Sequence, residues 1–218
     1  MESMQQLIAI DVFDGAEELD VVGPWEVLSH WTQEYPADGW RVHLVSDDGA
    51  VRTCAKGLGI VPTAAWTQLP LPDVIIEPGG AGSRARLTEP AHLSRLRAAA
   101  RRGALMGSVC TGALVLAAAG LLKERPVTTF HAAFDELLAL EPTAKVYPGE
   151  RWVDSGEVIT GAGVSAGIDM ALHLVGRLAG PERATQVQDG IEYHPAPPRW
   201  DAVLRNPFVA RRRRPEDA

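Results

Sequence analysis

The chain has 218 residues, a formal net charge of −7 and a hydrophobic share of 46%. This length supports one sizeable core, so we expect a single domain over residues 1–198 and a partly extended or disordered tail over residues 199–218. The acidic balance argues against a nucleic-acid-binding surface, and no apolar run has the length of a signal peptide or a membrane span. These features predict a soluble intracellular protein without a nucleic-acid or membrane partner.

The first predicted strand and helix place a carboxylate in an apolar setting. Residues 7–13 are nearly all apolar, which is typical of a buried strand, and Pro24 suits the first turn of a following helix. Asp20 lies between them, just before that helix. A carboxylate in this position is either a helix-entry device or a functional acid with a raised pKa, and both interpretations stay open.

The next strands lead to a glycine-rich loop. Residues 40–46 and 73–77 are predicted strands, and the second runs into Gly79 and Gly80. Ligands bind at the carboxyl ends of strands in open α/β sheets, and adjacent glycines can point bare N–H groups at one spot, as in an oxyanion hole. A tight turn is the alternative, and the spacing of a dinucleotide fingerprint or a P-loop is absent. Residues 89–102 are typical of an amphipathic helix with a basic, solvated face.

Residues 104–120 have the pattern of a buried strand, a sharp turn and a buried helix. Cys110 stands at the turn, with Ser108 and Gly112 two residues away on either side. This spacing is typical of a nucleophile elbow, in which small neighbours let strand and helix approach while the middle side chain is pushed out. The helix N-terminus favours a thiolate, so the pattern predicts a lowered pKa for this thiol. A buried core cysteine is the alternative, and it is the role we assign to Cys54.

The second half of the chain continues to alternate strands and helices. The predicted elements are a strand over residues 126–130, a helix from His131, a hairpin pair of strands within 145–160, and helices over 165–178 and 181–192. This alternation predicts a flavodoxin-like, doubly wound, mostly parallel α/β sheet with helices on both faces. The loops at Asp20, at Gly79 and Gly80 and at Cys110 then meet at one edge of the sheet.

Seven stretches together resemble the ThiJ/PfpI (DJ-one-like) superfamily, and within it the isonitrile hydratase branch. They are residues 18–24 (ELDVVGP), 77–80 (EPGG), 108–112 (SVCTG), 118–122 (AAGLL), 127–129 (VTT), 160–169 (TG, then AGID) and 192–198 (EYHPAPP). The stretches are spread over almost the whole chain. The LDxxGP and SVCTG motifs are specific in combination, whereas PGG alone is not.

The resemblance implies a cytoplasmic homodimer that acts on a small-molecule substrate without a cofactor or a metal. By position, Cys110 would be the nucleophile and Asp20 the acid hydrogen-bonded to its sulfur. The anion-binding spot would be lined by Gly80, beside Gly79, and by the backbone N–H of Thr111, whose hydroxyl would hold water or an intermediate. In an isonitrile hydratase the thiolate attacks the isocyanide carbon, the acid protonates the adduct and water releases an N-substituted formamide.

One departure from the superfamily bears on the alternatives. Many members place a histidine directly after the Thr-Thr pair, whereas here Phe130 holds that position and His131 follows it. We expect no catalytic role for His131, because the resemblance implies that the hydratase branch works through the acid. A histidine that reached Cys110 would favour glyoxalase, deglycase or amidase chemistry. A third class is a non-catalytic ligand or redox sensor that uses an exposed, oxidisable Cys110.

Overall fold

The computed structural model of the protein describes residues 5–194, so the predicted tail and the last residues of the predicted domain lie outside the described residues. The strands are β1 (Gln6–Asp11), β2 (Trp40–Ser46), β3 (Arg52–Thr53), β4 (Gly59–Ile60), β5 (Ala64–Ala65), β6 (Val74–Glu77), β7 (Leu105–Val109), β8 (Pro126–Val127), β9 (Lys145–Val146), β10 (Trp152–Asp154) and β11 (Val158–Gly161). The α-helices are α1 (Glu18–Glu34), α2 (Ser83–Arg86), α3 (Pro90–Arg101), α4 (Gly112–Ala118), α5 (Phe134–Leu140), α6 (Ala166–Ala179) and α7 (Pro181–Gly190), and two short 3-10 helices span Pro36–Asp38 and Trp66–Gln68.

A seven-stranded sheet organises the fold, in the order β10-β11-β7-β6-β1-β2-β5. Its strands pair in parallel, apart from β10, which is antiparallel to β11. The five central strands, β2-β1-β6-β7-β11, have the strand order of flavodoxin-like sheets. The predicted fold class is therefore confirmed.

Two apolar cores lie on opposite faces of this sheet, as the pleat of the strands requires. Along β1, Ile8 and Ile10 enter the core formed with α1, α6 and α7, whereas Ala9 enters the core formed with α3 and α4. Helices therefore cover both faces, and the carboxyl ends of the strands stay available for a site. Within residues 5–194, no helix is both long enough and apolar enough to cross a membrane.

Helix α1 begins earlier than the sequence predicts. It starts at Glu18, so Asp20 lies in its first turn, and Pro24 lies inside the helix instead of in that turn. A proline there cannot donate a hydrogen bond to the carbonyl four residues earlier, which normally disfavours a helix. Packing against α6 compensates, since these helices approach so closely that a Cβ on Gly167 would lie 3.2 Å from the Pro24 ring.

The predicted strand over residues 126–130 is also wrong in its extent, because β8 ends at Val127. The next backbone N–H, of Thr128, donates to the Thr160 hydroxyl oxygen at 2.8 Å. The Thr129 hydroxyl donates to the carbonyl of Cys110 at 2.7 Å. These bonds pull the chain towards the elbow, so it leaves the extended strand geometry.

The hairpin predicted within residues 145–160 forms only in part. Strand β9 pairs in parallel with β8 in a separate two-stranded sheet, so the turn at 148–150 joins no hairpin, whereas β10 and β11 form the second turn as predicted. Helix α5 begins at Phe134, three residues after the predicted start at His131. A turn precedes the helix, in which the Ala133 N–H donates to the Phe130 carbonyl at 2.8 Å.

The contact between α4 and β6 gives a test of the packing. A Cβ on Gly112 would overlap the carbonyl oxygen of Glu77, which is backbone and cannot swing away. We expect Gly112→Ala to lower the free energy of unfolding by about 2 kcal/mol or more, the range of overpacked cores. Gly176→Ala in α6 is the matched control, because its Cβ would meet only Ala184 at 3.5 Å. Equal unfolding midpoints in urea for the two variants would contradict this packing.

Candidate active site

Cys110 lies at a strained turn between β7 and α4. Its φ is +57°, a left-handed conformation that costs about 1–3 kcal/mol for a residue other than glycine. Three hydrogen bonds hold it: its N–H donates to the carbonyls of Gly161 (3.2 Å) and Ala162 (3.0 Å), and its own carbonyl accepts the Thr129 hydroxyl. This geometry confirms the predicted elbow.

Asp20 is fully buried beside the elbow. The N–H of Gly79 donates to its Oδ2 at 2.9 Å, and Oδ1 has no hydrogen-bond partner among the described residues. Burial raises the pKa of Asp20 to about 7, although the Gly79 N–H opposes the rise. The carboxyl makes no capping bond to the start of α1. These observations favour the functional acid over the helix-entry device.

The thiol of Cys110 is buried and is 6% exposed. Burial, followed by the negative charge of Asp20, raises the pKa of Cys110 to about 11, although hydrogen bonds from the backbone N–H groups of Thr111 and Val164 lower it. The predicted lowering of this pKa is therefore wrong. The short helix α4 and the two N–H groups favour the thiolate, but they do not outweigh the loss of water around the sulfur.

Cys110 and Asp20 form a coupled pair, because each changes the pKa of the other. Between the two pKa values the pair holds one proton and one negative charge. A thiolate then forms when the proton passes to Asp20, and the N–H groups of Thr111 and Val164 stabilise the charge on sulfur. The arrangement supplies a nucleophile together with an acid that can return a proton.

The structure corrects the oxyanion role predicted for Gly79 and Gly80. The Gly79 N–H is used by Asp20, and the Gly80 N–H donates to the Thr111 hydroxyl oxygen at 3.0 Å. That hydroxyl also lies 3.1 Å from the Ser83 hydroxyl, so it belongs to a network within the protein. A Cβ on Gly79 would lie 2.5 Å from the Thr111 nitrogen, which explains the glycine. The loop therefore positions the acid and Thr111, and the Thr111 N–H faces the sulfur.

His131 is exposed, and its ring lies on the Phe130 ring with centroids 4.3 Å apart. No residue among 5–194 forms a hydrogen bond with its ring, which lines a recess next to the elbow together with Thr129 and Val164. The expectation of no catalytic role stays a prediction. Cys54 is buried outside the elbow, and burial raises its pKa to about 11, in keeping with a structural thiol.

A recess of about 280 Å³ lies next to the elbow. Three residues of its lining touch Cys110: Thr129 through its hydroxyl, Ala162 through its carbonyl and Val164 through its N–H. The rest of the lining combines apolar Phe130 and Phe134 with polar His131, Glu150 and Arg151. The recess therefore lies beside Cys110 and has an apolar and a polar part.

Sequence reasoning missed the role of Val164. Its φ of +45° is rare for a β-branched residue, and this strained turn brings its N–H to the sulfur. The signal available in the sequence is the glycine-rich run at 161–165. Side chains cannot reveal a role that a backbone N–H performs.

A buried charge cluster, defined as Asp11, Glu77, Arg86 and His92, was also missed. Asp11, Glu77 and His92 bring ligand-type atoms within 4.8 Å of one another. Arg86 Nη2 lies 2.6 Å from Asp11 Oδ2, and His92 Nε2 lies 3.1 Å from Glu77 Oε1, but neither Glu77 oxygen nor His92 Nε2 has a partner with hydrogen-bond geometry among the described residues. Burial alone would lower the pKa of His92, but the charges of Glu77 and Asp11 raise it above its usual value. The arginine paired with Asp11 argues against a metal ion at this cluster.

Residues 6–177 match the model of the DJ-1/PfpI family. The chain is 40% identical over 188 residues to the isonitrile hydratase of Pseudomonas putida, covering 86% of this chain and 78% of that protein. It is 31% identical over 176 residues to the glutathione-independent glyoxalase DJR-1.2 of Caenorhabditis elegans, covering 80% and 89%. The crystal structure of a ThiJ/PfpI family protein from Pseudomonas syringae matches with a TM-score of 0.80 and 31% identity, covering 94% of this chain and 85% of that one.

The raised pKa of Asp20 has a consequence for stability. The pKa of Asp20 has its ordinary value of 3.8 in the unfolded chain and is about 7 in the folded protein. Between these values the folded state binds more protons, so this group makes the protein less stable as pH rises. We expect the free energy of unfolding of Asp20→Asn to exceed that of the wild type by an amount that grows by about 1.4 kcal/mol per pH unit from pH ~4 to ~7. Above this range the difference should stay constant.

Urea unfolding of both proteins at several pH values checks this expectation. Asp38→Asn is the control of opposite sign, because hydrogen bonds from Arg183 hold the pKa of Asp38 below its usual range. The ionised Asp38 therefore stabilises the protein at neutral pH, and this stabilisation is lost as pH falls and the carboxylate is protonated. A pH-independent difference between wild type and Asp20→Asn would show that Asp20 is not a buried acid.

Proposed function

The chain belongs to the DJ-1/PfpI family, and within that family we propose that it is a cysteine-dependent hydro-lyase that converts an isonitrile and water into an N-substituted formamide. The observation that carries the proposal is the coupled pair of Cys110 and Asp20, with a carboxyl pKa of about 7. An acid with this pKa can give and regain a proton near neutral pH, which is what the reaction requires. The 40% identity to an isonitrile hydratase supports this choice of substrate.

The first step joins the sulfur to the substrate. The Cys110 thiolate attacks the terminal carbon of R–N≡C and forms a C–S bond, while the proton held by Asp20 passes to that same carbon. The product is a thioimidate, R–N=CH–S–Cys110, and Asp20 becomes a carboxylate. The N–H groups of Thr111 and Val164, which bond to the sulfur, hold the thiolate before the attack.

The second step releases the product. Asp20, now a carboxylate, takes a proton from water as the water oxygen adds to the thioimidate carbon, and it then passes this proton to the nitrogen. The C–S bond breaks, the formamide R–NH–CHO leaves, and the hydroxyl proton of the adduct returns to the pair of Cys110 and Asp20. One water is consumed in each turnover, and no electrons are gained or lost overall.

The recess beside Cys110 suits the N-substituent of the substrate. Phe130, Phe134 and Val164 give part of its lining an apolar character, and its volume of about 280 Å³ is small for a ligand site. With its terminal carbon at the sulfur, an isonitrile would have its N-substituent at the opposite end of the molecule, away from Cys110. We therefore propose compact alkyl or aryl isonitriles as the substrate class.

Glyoxalase activity is the second candidate, supported by the 31% identity to a glutathione-independent glyoxalase. A thiolate next to an acid can also add to an aldehyde carbon. Consumption of methylglyoxal by the same variants distinguishes the two reactions. The cytoplasmic homodimer without a cofactor that the family resemblance implies stays a prediction.

The roles of the pair are tested with a simple alkyl isonitrile, by measuring formamide production. We expect Cys110→Ala to abolish turnover, because it removes the nucleophile. Asp20→Asn should lower kcat at least 100-fold, the usual contribution of an acid–base group. Cys54→Ser is the matched control and should keep the activity, because Cys54 lies outside the elbow. Wild-type protein that produces no formamide would refute the hydratase function.

The role of the recess is tested with substrates of different size. A Cβ on Gly163 would lie 2.5 Å from the Phe130 ring, so Gly163→Ala should push that ring into the recess. We expect kcat/KM for cyclohexyl isonitrile to fall about 10-fold or more, since poor fit in an apolar pocket costs about 1–3 kcal/mol. Methyl isonitrile is the internal control and should change little. An equal loss for both substrates would place the substituent elsewhere.

A further inference from the structure

The buried charge cluster lies next to the loop that positions the acid. We call residues 78–82 the acid loop, because the N–H groups of Gly79 and Gly80 bond there to Asp20 and Thr111. All four side chains of the cluster are at most 3% exposed. They lie on the sheet face that packs α3, since Glu77 follows Ile75 in the alternation of β6.

The cluster ties down both ends of the acid loop. Glu77 directly precedes the loop, and its Oε1 lies 3.1 Å from His92 Nε2 of α3, an ion-pair distance without hydrogen-bond geometry. Arg86 in α2, four residues after the loop, pairs with Asp11 at the end of β1 at 2.6 Å. One ion pair thus joins the start of the loop to a helix, and the other joins its end to a strand.

Between these two anchors the loop has little freedom to move. The Gly79 carbonyl accepts the N–H of Glu17 at 2.9 Å, and the N–H of Gly82 donates to the carbonyl of Gly15 at 3.0 Å. A shift of a few tenths of an ångström at the anchors would therefore alter the Gly79 bond to Asp20.

The chemistry of the anchors favours a positioning role over a gain in stability. A buried ion pair seldom stabilises a protein more than apolar side chains of the same volume would. Charged hydrogen bonds, in contrast, fix distances and directions that apolar contacts leave loose. Arg86 is held from several sides: its Nη1 also donates to Asp47 (2.7 Å) and Glu89 (2.5 Å), and Trp66 donates to Asp11 at 2.9 Å.

We propose that Glu77, His92, Asp11 and Arg86 are positioning residues that hold the acid loop where the Gly79 N–H reaches Asp20 and the Gly80 N–H reaches Thr111. They act through the loop backbone and touch neither the substrate nor the sulfur. The inference rests on the Cys110–Asp20 site and not on the identity of the substrate. It can therefore be tested without an isonitrile.

The test measures how fast iodoacetamide alkylates Cys110 as pH is raised, in a Cys54→Ser background that leaves one thiol in the chain. The first rise in rate follows the ionisation of the Cys110–Asp20 pair, near the Asp20 pKa of about 7. In Glu77→Gln the anchor to His92 is weakened, so the Gly79 bond, which lowers the Asp20 pKa, should lengthen. We expect the midpoint of this rise to move upward by about half a pH unit or more.

Two further variants keep the result independent of folding. Asp47→Asn removes one contact of Arg86 at a half-exposed position, so it should fold and should shift the midpoint less, in the same direction. Asp38→Asn removes the surface ion pair with Arg183 and controls for lost stability, so its profile should match the background. Thermal melting establishes that each variant is folded at the pH values used.

Folded Glu77→Gln and Asp47→Asn with the alkylation profile of the background would overturn the proposal and leave the cluster a purely structural role. If Glu77→Gln does not fold, the Asp47→Asn profile decides in the same way. An equal shift in Asp38→Asn would also overturn it, because lost stability alone would then explain the change. If only the hydratase function fails, the wild type produces no formamide, whereas the alkylation midpoint of Glu77→Gln still moves upward relative to the background.

Discussion

The burial of one carboxyl group against one thiol is the constraint on which the rest of the site depends. Asp20 and Cys110 lie together in a dry space, where burial raises the pKa of both groups. A proton shared by such a pair is mobile between two atoms that the substrate can reach in turn. The surrounding backbone supplies what the pair lacks: one N–H at the carboxyl and two at the sulfur. These N–H groups explain how the pair can carry both steps of the proposed reaction with Asp20 as the base that moves the protons.

The fold and the members of the pair are predictable from the sequence, because both leave local patterns. Apolar runs of strand length alternate with helical segments, which is sufficient for the flavodoxin-like order. The elbow at Cys110 shows itself in the small residues on either side of it, which steric contact with β6 requires. The predicted boundaries of helices and strands are wrong where tertiary contacts override the local pattern. Pro24 is an example, because its position inside α1 depends on packing against α6. The strand expected beyond Val127 fails for the same reason, since hydrogen bonds to the elbow redirect it.

The electrostatics of the site are not predictable in this way. The elbow pattern predicts a helix N-terminus at Cys110, which favours a thiolate. The burial that raises the pKa of the thiol depends on the whole fold, so the local pattern does not predict it. Gly79 and Gly80 have the composition of an oxyanion hole, yet their N–H groups are directed by the packing of α1 and α4. The buried charge cluster is equally hidden, because Glu77 and His92 are far apart in the chain and meet only after β6 and α3 pack. Single charges that end apolar strands, such as Asp11 and Glu77, are the available signal.

The most direct test of the account is an infrared titration of the Asp20 carboxyl, with its band assigned by loss in Asp20→Asn. The account predicts that the protonated carboxyl persists to near neutral pH and ionises with a midpoint near 7. It also predicts that the Cys110 thiolate, followed by its ultraviolet absorbance, accumulates only at much higher pH, because burial and the negative charge of Asp20 raise the pKa of the thiol to about 11. A carboxyl that is already ionised at pH ~5, as an ordinary aspartate would be, would contradict the central claim.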